Sequence, residues 1–497
     1  MKRFDCSRER RSETTWRKSS NVWCIKSKAF RLAEVRCMGS RTRPGGGAST
    51  LFRHTLQTFM SMSGFMFINV FSAILLSRGL SPDDRGMYLG ITMWNGLILG
   101  FCDVGIYITT VYLWSRSRDK DRKDVFATLL VWAIGTGAVC VGVVAIFADW
   151  MLKRHLSADE KLMAYLYFAS SITGPLSSLF SGILAAEQRF STINLLRVGV
   201  PAVLTACWLV YFTADSLSIA MCLATNSAIS FLGLLPYLYQ LRSNLRSGGS
   251  FRWRIFKQGF WYGLRGHGSS VVNVVGNSSS QLLIFALTPA ALAYYQTASS
   301  ALGILWALPA AIGVTSFPDL VKENPKMLHE RTSRFIRLTA LSTFLGGILL
   351  GLAEPVLIPL LFGKAYLASV LPGIILLPSV LFSGLSSILG GALNSTGRTL
   401  HNTVADAANV GATLLSMVLV LSAWSISGAA FSVLMGAVMS FAVRFIWYGR
   451  CIRRLKPIDF VPNLDDLREL ARSTMVILRK LKPLRKSDLS AKGGILP

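Results

Sequence analysis

The sequence predicts an all-α polytopic membrane protein, with about twelve transmembrane helices in two pseudo-symmetric six-helix bundles. Three observations carry this prediction. Of 497 residues, 52% are hydrophobic and only 15% charged, against about 25% charged in soluble domains. Many apolar runs exceed the roughly 18 residues that mark a membrane-spanning helix. Short segments also recur at equivalent places in the two halves of the chain. The alternating, strand-length pattern of a membrane β-barrel is absent.

Residues 1–50 are basic and polar and end in "GSRTRPGGGAST". No apolar core followed by a small-residue cleavage site is present, so a secretory signal is not predicted. The segment reads as a disordered cytosolic tail, with Met38 a second candidate start. The first half (51–245) holds predicted spans at 53–77, 87–113, 125–149, 161–186, 195–213 and 217–240. The second half (246–450) holds 258–287, 291–318, 335–361, 369–394, 401–424 and 427–449. In the basic tail (451–497), "NLDDLRELARSTMVILRKLK" (463–482) repeats leucine at helical intervals. Asp465 and Asp466 open that segment and Arg479 and Lys480 close it, as a helix dipole favours. It reads either as an amphipathic helix on the inner membrane surface or as a soluble tail helix.

Loop charge orients the chain. With a cytosolic N-terminus, the inner loops carry Arg116, Arg118, Lys120, Arg122, Lys123, Arg189, Arg242, Arg246, Arg252, Arg254, Lys322, Lys326, Arg331, Arg334 and Arg398. The outer loops carry only Arg78, Arg85, Lys153, Arg154 and Lys364. That bias predicts both termini inside. It also accounts for the net charge of +27, so nucleic acid is not a predicted partner. The eight cysteines form no CxxC pair, and metal-ligand spacing with the five histidines is missing. "DKD" (119–121) lies in a mixed-charge loop, and "LFGKAY" lacks the rest of a phosphate-binding loop. No catalytic residue and no cofactor is predicted.

The internal repeat is legible in two places. "LSPDDRGMY" (80–88) and "LTPAALAYY" (287–295) align Leu80, Ser81, Pro82 and Tyr88 with Leu287, Thr288, Pro289 and Tyr295. "SGILAAEQRF" (181–190) and "GGALNSTGRT" (390–399) align Gly182, Leu184 and Arg189 with Gly391, Leu393 and Arg398. An even number of spans gives both halves one orientation. Parallel repeats of this kind are a transporter architecture with the path between the halves.

Residues 74–109, "ILLSRGLSPDDRGMYLGITMWNGLILGFCDVGIYIT", resemble the opening helix pair of bacterial oligosaccharide or O-antigen flippases. Asp103-Val104-Gly105 matches that family's acidic-x-Gly step. "LTPAALAYYQTASS" (287–300), "PVLIPLLFGKAYLASV" (355–370) and "LNSTGRT" (393–399) are similar to later segments of the same proteins. These motifs belong to the multidrug, oligosaccharidyl-lipid and polysaccharide exporter superfamily, and the resemblance covers roughly residues 50–450. It implies a carrier of the bacterial inner membrane that moves an undecaprenyl-diphosphate-linked oligosaccharide to the outer leaflet. The implied role is O-antigen, exopolysaccharide or lipopolysaccharide biosynthesis. A polysaccharide polymerase and chain-length machinery are further implied partners, beside membrane lipids. The chain departs from the family at "NSSSQLL" (277–283), where an acidic residue is common.

Ionisable residues inside membranes are costly and mark functional sites. Arg265 and His267 open the seventh span, and Arg197, Arg444, Arg189 and Arg398 lie near cytosolic span ends. Together they are the candidate vestibule for a lipid diphosphate, whose oxygens suit guanidinium forks; ordinary positive-inside anchoring explains each one singly. Asp103 and Asp406 are candidate coupling acids for a proton or Na⁺ gradient, or partners of those arginines. Asn69, Asn273, Asn277 and Gln281 are candidate glycan-lining residues, as packing between helices would also use them. Three other readings stay open: a small-molecule exporter of the same superfamily, a membrane polysaccharide polymerase, and a non-transporting scaffold. Cationic drugs would favour acids in the cavity, and a polymerase a large outer loop or carboxylate cluster.

Overall fold

The computed structural model describes residues 47–118, 121–151, 156–242, 248–321, 325–396, 398–455 and 459. Of the unit up to Gln57, only helix from Gly47 is described. Thr58–Pro497 form the second, to which everything below refers. The predicted N-terminal tail up to residue 46 and the amphipathic segment 463–482 lie outside the described residues.

Helices are the only regular elements among the described residues, which contain no strand. In order they form α1 (Gly47–Gly79), α2 (Pro82–Cys102), α3 (Ile106–Arg116), α4 (Arg122–Met151), α5 (Ala158–Ala169), α6 (Thr173–Ala186) and α7 (Phe190–Thr213). There follow α8 (Ile219–Leu232), α9 (Leu235–Gln240), α10 (Trp253–Leu287), α11 (Pro289–Val321), α12 (Pro325–Phe362), α13 (Val370–Ser395) and α14 (Thr399–Cys451). A 3₁₀ turn at Ser170–Ile172 joins α5 to α6, and another at Lys364–Ser369 precedes α13. Each of the twelve predicted spans falls on helix over nearly its whole length.

Among the described residues, eight helices are long and apolar enough to cross a membrane, nine with the bent pair α2–α3. The break in α14 accounts for one of the three spans between nine and twelve; α10 and α11, whose side chains are described only in part, are the other two. Helix α14 breaks at Ser425 (φ 48°, ψ −127°) and folds back, so its 53 residues form two antiparallel arms. Asp406 on one arm meets Arg444 on the other, symmetrically about that break. Helix α10 is continuous from Trp253 to Leu287 and closes on the apolar stretch Val274–Leu287. Its first half is aromatic and polar, and it packs on α3 and α4 through Tyr262 stacked on Tyr112 and Phe256 against Trp132.

The two halves repeat local structure as well as sequence. Ser81 caps α2 by accepting from Asp84 N at 3.1 Å, and Thr288 caps α11 by accepting from Ala291 N at 3.1 Å. Each is followed by proline at the first helical position, where the missing N–H costs nothing. Before the fifth and eleventh spans, Arg189 N bonds Leu184 O at 2.8 Å and Arg398 N bonds Leu393 O at 3.1 Å. These two arginines share one backbone conformation, φ −86°, ψ 54° and φ −100°, ψ 54°.

Helix α2 runs antiparallel to α10 and carries the contact between the halves. Gly90 lies on Phe285 and Gly100 on Val274. At one end Gly86 abuts Pro289, so the two repeated turns touch; at the other, a Cβ on Gly105 would lie 2.8 Å from Gly263 O. Small residues let the backbones approach this closely, as helix packing in membranes requires. We call the end carrying Pro82 and Pro289 the proline end, and the opposite one, with the arginine-rich connections, the basic end.

Candidate functional site: polar cavities beneath a closed end

Three cavities with polar linings lie among the described residues. The first lies where α2 gives way to α3. These helices meet at an angle of 41° around Asp103, Val104 and Gly105. Gly105 takes φ +66°, the left-handed region open to glycine. Asp103 stabilises the break: Oδ1 accepts from Ile106 N at 3.1 Å, capping α3, and Oδ2 accepts from Ser178 Oγ at 3.2 Å. His267 is only 8% exposed and its Nε2 lies 2.9 Å from Gly100 O. Asp103, Ser178 and His267 line one cavity of about 420 Å³ with Gly174 and Val274. Broken helices of this kind, with backbone freed from the ladder, are where transporters build their sites.

The second cavity, about 120 Å³, lies within the second half. Asn277, Ser280 and Gln281 of α10 face Asp406, Asn409 and Thr413 of α14 across it. The "NSSSQLL" stretch therefore faces an acid contributed by another helix. Arg444 closes the wall beside that acid. Its Nη2 donates to Asp406 Oδ1 at 2.6 Å, its Nε to Asn402 Oδ1 at 3.0 Å and its Nη1 to Ser386 Oγ at 2.6 Å and to Ser440 Oγ. One guanidinium thus ties α13 to both arms of α14.

The third cavity, about 410 Å³, lies among α6, α7, α8 and α9, lined by Arg197, Ser177, Ser181, Ser230, Tyr237 and Tyr107. Arg197 Nη1 is buried with no hydrogen-bond partner among the described residues.

The predicted vestibule therefore does not assemble as one cluster. The structure joins Asp406 with Arg444, Asn277 and Gln281, and joins Asp103 with His267. Arg197 stands in a cavity of its own. Arg189 faces Glu187 at 3.5 Å on the exposed turn after α6, and Arg398 is exposed at the start of α14. Asn69 donates to Phe65 O of its own helix at 2.8 Å and lines none of the three cavities. Of the two roles considered for Asp103, coupling acid or arginine partner, its hydrogen bonds go to a backbone N–H and a serine. The side chains of Arg265 and Asn273 lie outside the described residues.

The proline end is closed by residues that the loop-charge tally counted as exceptions. Arg85 is 1% exposed; its Nη1 donates to Thr297 Oγ1 of α11, and its guanidinium lies 5.2 Å from the centre of the Tyr366 ring. Arg78 donates through Nε to Leu361 O at 2.7 Å and through Nη2 to Leu360 O, at the carbonyl end of α12. Ala73 and Ile74 of α1 pack with Ile358, Phe362 and Tyr366 of the other half. Two arginines that break the positive-inside pattern are thus ties between the halves.

Solved structures share this fold. An inward-facing multidrug resistance MATE family transporter of the MOP superfamily superposes with a TM-score of 0.61 at 14% identity, over 78% of this chain and 94% of its own. Lipid II flippase MurJ in an inward closed conformation gives 0.67 at 12% identity, over 88% and 94%. A MOP superfamily transporter from Pyrococcus furiosus gives 0.56 at 13%, over 81% and 95%. The fold is that of the MOP-superfamily transporters. Residues 75–371 match the model of a family described as polysaccharide biosynthesis protein. The chain belongs to that family, and no curated protein matches it by sequence.

Proposed function

We propose that the chain flips an undecaprenyl-diphosphate-linked oligosaccharide from the cytosolic to the outer leaflet of a bacterial inner membrane, for surface polysaccharide synthesis. The family match over residues 75–371 carries this reading. Two parallel six-helix halves, tied at the proline end, suit alternating access about the axis between them. The basic end faces the cytosol on this reading, consistent with its arginine-rich connections. Of the six basic vestibule candidates, Arg197 best suits a diphosphate, having an unpartnered buried N–H in a hydroxyl-lined cavity. Asn277 and Gln281 offer hydrogen bonds to sugar, and the lipid tail stays in the bilayer. A proton or Na⁺ gradient supplies the driving force, without a cofactor.

A small-molecule exporter of the same superfamily is the second reading, favoured by Asp103, which brings a carboxylate to a cavity large enough for an organic cation. Proteoliposomes separate the two. The flippase reading expects fluorescent undecaprenyl-diphosphate oligosaccharide to become accessible in the opposite leaflet, with Arg197→Ala slowing this at least tenfold. Uptake of organic cations with no movement of the lipid-linked sugar would reverse the order.

A further inference from the structure

Glu354 belongs to none of the three cavities and to none of the ties described above. It lies in α12, two turns from the proline end, and is 0% exposed. Neither carboxyl oxygen has a hydrogen-bond partner among the described residues. A Cβ on Gly373 of α13 would lie 2.6 Å from Oε2 and 2.9 Å from Oε1, so only a glycine admits the group. The helices around it supply no counter-charge. Helix α13 has no ionisable residue at all. The 3₁₀ turn offers Lys364, which is exposed, and Tyr366, which faces Arg85. Helix α11 offers Tyr294, against the Tyr366 ring, and Tyr295, which lines the 120 Å³ cavity. Helix α1 reaches this side with Ala73 and Ile74. An ionised carboxylate with no partner cannot be sustained in such surroundings, so the group is held as the neutral acid.

Its position gives that proton a consequence. Glu354, Ile358 and Leu361 lie on one face of α12 by helical spacing. Ile358 and Leu361 pack with Ala73 and Ile74 of the first half, and the Leu361 carbonyl receives Arg78. Pro355 and Pro359 remove two intrahelical hydrogen bonds in this stretch, giving the helix a place to bend. Separating the halves at the proline end therefore uncovers the face of α12 on which Glu354 lies, one turn from Ile358.

We propose that Glu354 is a proton-binding site whose occupancy governs the proline end: protonated when that end is closed, and released to water when it opens. The inference rests on the alternating-access reading above and makes the proline end sensitive to the pH of the phase it faces. Proton uptake by the carboxylate forms the acid, closing follows, and the proton comes from the aqueous phase at the proline end. The closed state binds one proton more than the open one, so raising pH favours opening. Where only the closed state holds that proton, the open-to-closed ratio rises up to tenfold per pH unit.

The test uses the full chain in lipid nanodiscs, with a donor–acceptor pair of fluorescent amino acids at Asp83 and Lys364, both exposed. Wild type opens as pH rises; Glu354→Gln, a neutral isostere, stays closed at every pH. Opening that keeps its pH dependence in Glu354→Gln overturns the proposal. Infrared difference spectra across the same pH range test the group directly, and do so in Glu354→Asp should Glu354→Gln fail to fold. An unbonded carboxylic-acid carbonyl band, lost in Glu354→Gln or displaced in Glu354→Asp, is expected; no such band in wild type at neutral pH overturns it. Arg85→Ala separates the two levels. A probe pair that moves in Arg85→Ala but ignores pH sinks the proton site alone; one that moves under no condition sinks alternating access.

Discussion

Arg85, in the first turn of α2, is buried against Thr297, 212 residues further along the chain and in the other half of the molecule. A hydrogen bond from a charged group contributes about 1.5–3 kcal/mol, and a desolvated cation over an aromatic ring about 2 kcal/mol. Removing both, offset by relief of the arginine's own burial, should shift the proline end toward opening by about 2 kcal/mol, roughly thirtyfold. Arg85→Ala is expected to make Asp83 and Lys364 separate measurably by fluorescence transfer, while Arg85→Lys recovers only part of the closed state because it lacks the planar fork.

Gly86 and Gly90 sit one helical turn apart on α2 but meet different obstacles. A Cβ on Gly86 would overlap the backbone carbonyl of Pro289; one on Gly90 would meet the far edge of the Phe285 ring, which can turn away. Gly86→Ala should therefore destabilise the protein by about 1–3 kcal/mol, and Gly90→Ala by clearly less. Thermal unfolding in detergent compares them. Equal losses would mean that the two turns are not in contact in the membrane.

Most of the scaffold was legible, since apolar run length needs no partner to be read. The Ser-Pro and Thr-Pro turns were legible because capping is local chemistry. Asp103 stood out as an acid within a span, but its role in a helix break depended on Ser178, which arrives from α6. Arg85 read as a loop residue because its partners lie in the other half. Helix α10 read as one span over 258–287, but that the aromatic residues of its first half pack on α3 and α4 is a tertiary fact. Glu354 had a signal that was passed over: a lone acid in an apolar run, one residue before a recognisable motif. Its isolation is a tertiary fact, set by Gly373 and by a helix without ionisable residues.

Arg444 offers a test of structural against substrate-binding use. Its side chain is 11% exposed and that of Asp406 31% exposed. Taking away one partner of such a pair leaves the other without compensation, so the two single losses together exceed the loss in the double variant. Arg444→Ala should cost more stability than Asp406→Asn, since it also releases Asn402, Ser386 and Ser440. A double-mutant cycle with Asp406→Ala should return a coupling of about 1–3 kcal/mol. If Arg444 were instead a free receptor for phosphate, Arg444→Ala would lower flipping with unfolding unchanged.

Asp103 can be dissected by two substitutions that separate its shape from its charge. Its Oδ1 caps α3 and its Oδ2 accepts from Ser178, and asparagine keeps an oxygen for the cap while losing the charge. Asp103→Ala removes the cap and should cost about 1 kcal/mol, as other helix N-caps do. Asp103→Asn should unfold within a few tenths of a kcal/mol of wild type, because the backbone N–H of Ile106 remains satisfied. If the carboxylate takes part in transport beside His267, Asp103→Asn still loses flipping at least tenfold despite that stability. Full transport by Asp103→Asn, with impaired transport and stability in Asp103→Ala, would reduce the residue to the cap of a bent helix. The flipping rate of Asp103→Asn decides between these.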